Sequence, residues 1–421
     1  MKAREVIQMI PKKFFTFLSK KYEVDYKVKK LPGETVFLVM LETLFSSLNH
    51  TLRALATQFN EKDFQQHILR NKEYITIDHT AFHYRLNKID SEYFRELFER
   101  AKKIYAPYLT DLNKKYSTWI FDSTVVTLSS NLLKQCGFRT TGSKKKNQIK
   151  YTIGYHQIPE VARLYTEKKY NGENPALGET ILTTEIPKKS IILFDRGLQS
   201  RTTYDKITEK GNLFISRLNK VYKADIITEH IPRKNTNITQ EKEGYLYERK
   251  GKKTRSIYRI IHLKPPNSAT KQPDKKKKNQ ISRRAHRSKN SAKTTQELIE
   301  ELVKEEIIFV TNISRSELSA EEIAEIYKER WKIEVFFKFL KQELHFSHLI
   351  NRTENGIKSV MYITLIYALI LLVYKRINQL EGYKYVKMKF MLEAKSELKQ
   401  FLEPIVISHI KRDEALPKQH W

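Results

Sequence analysis

Between residues 117 and 218 the chain passes from strands laid side by side to strands alternating with a helix, and this change limits what it can fold into. Ser117–Val126 is rich in aromatic and β-branched residues and reads as a strand. Ile149–Tyr155 alternates apolar with polar residues, as a half-exposed second strand does. Val161–Thr166 supplies a third, so these three predict a meander. Ile191–Asp195 is a short, continuous apolar run, the pattern of a strand buried on both faces. A helix over Gln199–Glu209 ends at Gly211, and Leu213–Leu218 forms a fifth strand. A meander followed by strand–helix–strand predicts an α/β fold with a mixed sheet flanked by helices.

The flanks read differently. Residues 1–105 are expected to be an all-α domain. Thr51 is placed to cap Leu52–Phe59, and Asp78 to cap a short basic helix over Thr80–Lys88. That pair predicts a helix-turn-helix-like reader with Arg85 and Lys88 near DNA, or else an ordinary helical bundle with a basic face. Residues 106–218 are the first part of the core. Residues 219–313 hold strand-like pieces and a basic run, Pro265–Lys293, that is almost free of large apolar residues. Ile307–Thr311 restores a strand, and Ser319 is placed to cap a long helix in the segment 314–349. Helices are expected from 350 to 421, a candidate dimerisation region. In it, Val360–Tyr374 is read as a buried helix rather than a membrane span.

Composition narrows the partner. Lys and Arg number 78 against 48 Asp and Glu, a formal charge of +30. Such an excess favours a polyanion, because each neutralised phosphate releases counterions. Cys136 is the single cysteine, which excludes an intramolecular disulfide and a thiolate zinc cluster. The opening MKAREVIQMIPKKFF is too broken by charge and Pro11 for a secretory leader, so a soluble, cytoplasmic protein without membrane contact is expected.

The chemistry-bearing candidates are carboxylates. Asp122 lies inside an apolar strand, where an acid is costly unless it pairs or binds a metal. Asp195 ends a second apolar strand, at the kind of strand end where ligands gather in open α/β sheets. Each alone has a plain alternative: Asp122 can cap a turn, and Asp195 can pair with Arg196 or cap the next helix. Downstream, Arg330, Glu334 and Lys341 follow Tyr327 at offsets of 3, 7 and 14. On one unbroken helix these fall within an arc of roughly 60°, apart from the apolar stripe Ile333, Phe336, Leu340 and Leu344.

Tyr327-x2-Arg330-x3-Glu334-x6-Lys341 resembles the YREK signature of DDE transposases in the IS-four insertion-sequence family. The surrounding Tyr327-Lys-Glu-Arg-Trp-Lys-Ile-Glu334 resembles that family as well, and Asp122-Ser-Thr and Asp195-Arg-Gly resemble its first and second acidic motifs, in order. The resemblance implies an RNase H-like core with a β-rich insertion before the catalytic helix. It implies two Mg²⁺ or Mn²⁺ ions held by Asp122, Asp195 and Glu334 as catalytic and metal-binding residues. Arg330 and Lys341 would then clamp DNA phosphates, and Tyr327 would contact a phosphate or stack on a base. Lys144–Lys146 are a further candidate for backbone contact. The activity implied is excision at terminal inverted repeats and strand transfer into target DNA, cut-and-paste, by a homodimer. Two alternatives keep much of this reading: a structure-selective nuclease, and a catalytically silent DNA-binding regulator derived from a transposase.

Overall fold

The computed structural model describes residues 1–45, 50–69, 73–111, 115–128, 138–139, 147–233, 236–248, 251–264 and 306–395. Lys144–Lys146, the basic run from 265 and the helices expected beyond 395 lie outside the described residues. The chain divides into two compact units. One comprises Met1–Lys114, Ser123–Asn171 and Glu334–Trp421, the other Lys115–Asp122 and Gly172–Ile333.

The first unit is built mainly of helices: α1 (Ala3–Gln8), α2 (Lys12–Lys21), α3 (Gly33–Phe45), α4 (Leu52–Asn60), α5 (His79–Lys88) and α6 (Ser91–Leu109). Thr51 caps α4, its hydroxyl accepting from the Ala54 amide at 3.1 Å. Asp78 precedes α5 but makes no side-chain cap bond. Arg85, expected near DNA, is not a surface residue. It is buried, its Nε donating to the Leu31 carbonyl at 2.6 Å and its Nη2 to the Val24 carbonyl and Asp25 at 2.8 and 2.9 Å. The helix is basic at that point because a guanidinium closes the 24–31 turn from within.

The same unit holds part of the sheet. Strand β1 (Thr118–Leu128) lends it its second half, next in order to β3 (Asn147–His156), which pairs antiparallel with β2 (Phe138–Arg139) and β4 (Ile158–Tyr165). The half-exposed strand expected over Ile149–Tyr155 is instead buried on both faces from Ile149 to Gly154. Its polar residues are accommodated individually: Lys150 donates to the Asn171 carbonyl at 2.7 Å.

His50, just before α4, is buried with neither ring nitrogen hydrogen-bonded among the described residues. Its ring stacks on His345 at 6.4 Å between centroids. Burial, then the neighbouring His345, His348 and Lys387, hold its pKa down to about 3 against an ordinary 6.5. The fold therefore keeps this imidazole neutral, and the unfolded chain binds its proton first. Stability should fall as pH drops below about 6.5, by up to about 1.4 kcal/mol per pH unit for this one group. Urea denaturation at stepwise lower pH checks this, with His50→Phe expected to flatten the acid limb; an unchanged limb overturns it.

The second unit carries the first half of β1, then α7 (Glu173–Thr183), β5 (Ile191–Leu193), α8 (Arg201–Glu209), β6 (Leu213–Arg217), β7 (Ala224–His230), β8 (Ile238–Leu246), β9 (Tyr258–Leu263), β10 (Ile307–Thr311) and α9 (Ala320–Lys328). Strands β1, β5 and β6 are parallel, with Ile120, Leu193 and Ile215 in register; β10, β9, β8 and β7 continue antiparallel. Followed through β1, the order β4-β3-β1-β5-β6 is that of an RNase H-like fold. Strands β7–β9 are the β-rich insertion. One face of this sheet buries Trp119, Phe121, Ile192, Phe194 and Phe214 against Leu177, Ile181, Tyr204 and Ile207 of α7 and α8. Because side chains alternate across a strand, the other face receives Ile120, Leu193 and Ile215 and, two residues on, Asp122 of β1 and Arg217 of β6; Asp195 lies two residues past the end of β5.

After α9 come α10 (Trp331–Glu343) and α11 (Glu354–Ile377). Helix α11 is long and apolar enough to cross a membrane, yet 89% of its most apolar stretch is buried inside the protein. Its Tyr367 packs on Phe37 at 5.4 Å between rings and donates to the Phe37 carbonyl at 2.7 Å, so α11 and α3 share one core.

Candidate active site

Asp122 and Asp195 stand at one level of the sheet. The last paired residues of β1 and β5 are Ile120 and Leu193, and each aspartate lies two positions beyond. Both are half-buried. Asp195 leaves the strand at a tight turn, its Oδ1 accepting from the Gly197 amide at 2.8 Å, while its carbonyl accepts from the Ser216 hydroxyl at 3.2 Å. A Cβ on residue 197 would sit 2.8 Å from that same Oδ1 and 2.9 Å from Glu173, which is why glycine follows. Asp195 Oδ2 accepts no hydrogen bond among the described residues, leaving an oxygen of the type a hard divalent ion takes.

The helix expected to carry the four-residue signature is two helices. Helix α9 ends at Lys328 and α10 begins at Trp331, with a turn at Glu329–Arg330. Its bonds run three residues back: Glu329 to Ile326, Arg330 to Tyr327, Lys332 to Glu329 and Ile333 to Arg330, at 2.9–3.3 Å. Such tight turns advance faster than an α-helix, so the uniform arc does not extend across them. No proline causes the break. Glu329 is drawn to the first residue of β1, accepting from the Thr118 hydroxyl at 2.8 Å, and pairs with Lys332 at 3.4 Å. The start is as expected: Ser319 and Glu322 form a reciprocal capping box.

Tyr327 is buried. Its ring packs on Phe309 at 5.0 Å, its hydroxyl donates to the Phe194 carbonyl at 3.3 Å, and the Arg330 guanidinium lies 5.8 Å from its ring centre. Its face is therefore not offered to a base in this fold. Burial raises its phenol pKa well above the ordinary value; Arg330 and Arg217 pull it down, and Asp195 and Asp122 push it further up. One buried hydroxyl thus feels both acids and two arginines of the same unit. Arg330 is half-buried in the turn; Glu334 and Lys341, also half-buried, lie on α10 in the other unit. Ile333, Phe336, Leu340 and Leu344 are buried, the packing stripe the sequence predicts. Among the described residues, no three His, Cys, Asp or Glu side chains come close enough together to hold an ion. Two neighbours escaped the sequence reading. Trp331 is 63% exposed directly after Arg330, and Arg217 ends β6.

Asp122 and Asp195 thus stand on adjacent parallel strands, with Arg330 in the turn after α9. Residues 113–371 match the family model for the transposase DDE domain, and the chain belongs to the DDE transposases. A Synechocystis sp. protein that carries the name of transposase for insertion sequence element IS4SA is 25% identical over 305 residues, 70% of this chain and 71% of that one. A Geobacillus stearothermophilus protein named as a transposase for element IS5377 is 40% identical over 57 residues, 14% of this chain and 15% of that one. A structure of piggyBac transposase in a synaptic complex with hairpin DNA covers 86% of its own chain and 100% of this one, at 10% identity and a TM-score of 0.44. Family membership makes this a DNA-binding enzyme that breaks and joins phosphodiesters with divalent metal.

Proposed function

We propose that the protein excises an insertion sequence at its terminal inverted repeats and joins it to target DNA by cut-and-paste, as a homodimer. The observation that carries this is the pair Asp122 and Asp195, level on adjacent parallel strands and both felt by Tyr327. By the family resemblance, these two and Glu334 would be the residues that hold the two divalent ions. The all-oxygen donors fit Mg²⁺ or Mn²⁺, and no cysteine or histidine belongs to the set. When bound, such ions activate the attacking oxygen and stabilise the leaving one in an in-line displacement. The chain's own contribution is positional. Gly197 and Ser216 fix Asp195 by both ends of the residue, and the Thr118–Glu329 bond fixes the turn that presents Arg330. Arg330 and Lys341 would take DNA phosphates, in the manner of guanidinium and ammonium groups elsewhere. The stacking role falls to exposed Trp331 rather than to buried Tyr327, and a base stacked there is worth about 1–3 kcal/mol.

The test is joining as well as cutting. Purified protein with Mg²⁺ and a labelled duplex bearing the DNA that borders the encoding element should release ends and insert them into a plasmid. Glu334→Gln should do neither. Cleavage without joining supports the nuclease alternative, and undiminished cleavage by Glu334→Gln sinks the assignment of the third acid.

A further inference from the structure

Arg217 occupies a place in the second unit that the four-residue signature does not cover. The pairs Ile120↔Leu193 and Leu193↔Ile215 run across three parallel strands, so Asp122, Asp195 and Arg217 are each two residues beyond one row. On its other side Arg217 pairs with Phe309 of β10. Directly opposed residues of antiparallel strands share a face. The Phe309 ring packs on Tyr327, whose hydroxyl meets the peptide before Asp195. The row therefore reads Asp122, Asp195, Arg217, Phe309, with Tyr327 above it.

The backbone of Arg217 is pinned, its carbonyl accepting from Gln199 Nε2 at 3.1 Å. Its side chain is not. The Nε is buried and has no hydrogen-bond partner among the described residues. A buried guanidinium N–H without an acceptor is costly, and charged donors are ordinarily matched to carboxylate or phosphate. A phosphate group has the charge, the acceptors and the planar-fork complementarity to satisfy it.

We propose that Arg217 contacts the DNA phosphate at or next to the one that reacts at Asp122 and Asp195. This rests on the catalytic reading of those two acids and adds a cation to their row that no signature residue supplies. A cation in that row lowers the cost of bringing a polyanion up to two acids. Arg330, in the turn after α9, approaches from the helix side; Arg217 approaches from the sheet.

The test separates a phosphate contact from a packing role. Binding of a fluorescein-labelled duplex of bordering DNA is followed by anisotropy against salt, with Ca²⁺ present so that no cleavage occurs. Arg217→Gln should reduce the slope of log K against log salt by about 0.9, the signature of one lost phosphate contact. Its cleavage with Mg²⁺ should fall by about a hundredfold, on the scale of removing one preorganised donor. Arg217→Lys should restore the salt slope but only part of the rate, having one point charge in place of a fork. A salt slope equal to wild type in Arg217→Gln overturns the proposal, whether or not its Tm falls. The catalytic reading is judged separately by Asp195→Asn. If that variant still cleaves, the acids are wrongly assigned; if only the Arg217 result fails, they stand.

Discussion

Asp195→Asn should lower strand cleavage by about a thousandfold, roughly 4 kcal/mol of transition-state stabilisation. Binding of DNA should stay level or tighten. The amide is nearly isosteric with the acid and its oxygen still accepts from the Gly197 amide, so the turn at 195–197 is preserved. What is lost is one negative charge beside Asp122. Removing it favours a polyanion and disfavours a divalent cation, so the two affinities must move in opposite directions. Thermal unfolding gives an independent readout. Mg²⁺ that binds only the folded protein stabilises it by RT ln(1 + [L]/Kd), about 2.7 kcal/mol at a hundredfold excess over Kd, and that increment should vanish in the variant. Without metal the variant should be at least as stable as wild type, since two neighbouring carboxylates repel. Cleavage within tenfold of wild type, together with an unchanged Mg²⁺ increment, would remove Asp195 from the site.

Arg85→Ala should cost about 3 kcal/mol of stability, the lower end for breaking a buried ion pair because Asp25 keeps some solvent access. Three acceptors lose their donor together: the Leu31 and Val24 carbonyls and Asp25, which also takes the Gly33 amide at 2.7 Å. Burial lowers the Arg85 pKa and Asp25 opposes that, yet the guanidinium stays charged. Lysine should rescue little, since one ammonium cannot reach acceptors met by both Nε and Nη2. Urea denaturation measures the loss. A DNA-contacting arginine would behave in the opposite way, lowering the salt slope of binding by about 0.9 with little change in the urea midpoint.

These two residues show how far the linear pattern reaches. The position of Asp195 just past an apolar strand was legible because the run before it is short, continuous and apolar. Arg85 was misread because a basic residue on a short helix looks the same whether it faces solvent or plugs a turn 54 residues away. Lys150 and Thr152 were misread in the same way: their alternation described a half-exposed strand, but both are buried, and the neighbouring Tyr151 packs on Phe346. The capping box at Ser319 was legible because both partners lie within one turn. The break at Glu329 was not, and the Thr118 hydroxyl that Glu329 meets there lies 211 residues away.

The sequence by itself determined the local elements and the chemical alphabet: strands where β-branched and aromatic residues collect, caps at Thr51 and Ser319, an excess of cations, and a spaced signature that identifies the family. Those depend on neighbours a few residues apart. The tertiary structure decided the register that sets Asp122, Asp195 and Arg217 level, the burial of Tyr327, and the division of the signature between two helices. Those depend on which distant strands pair and on single hydrogen bonds that close over long loops, and no periodicity in the chain records them.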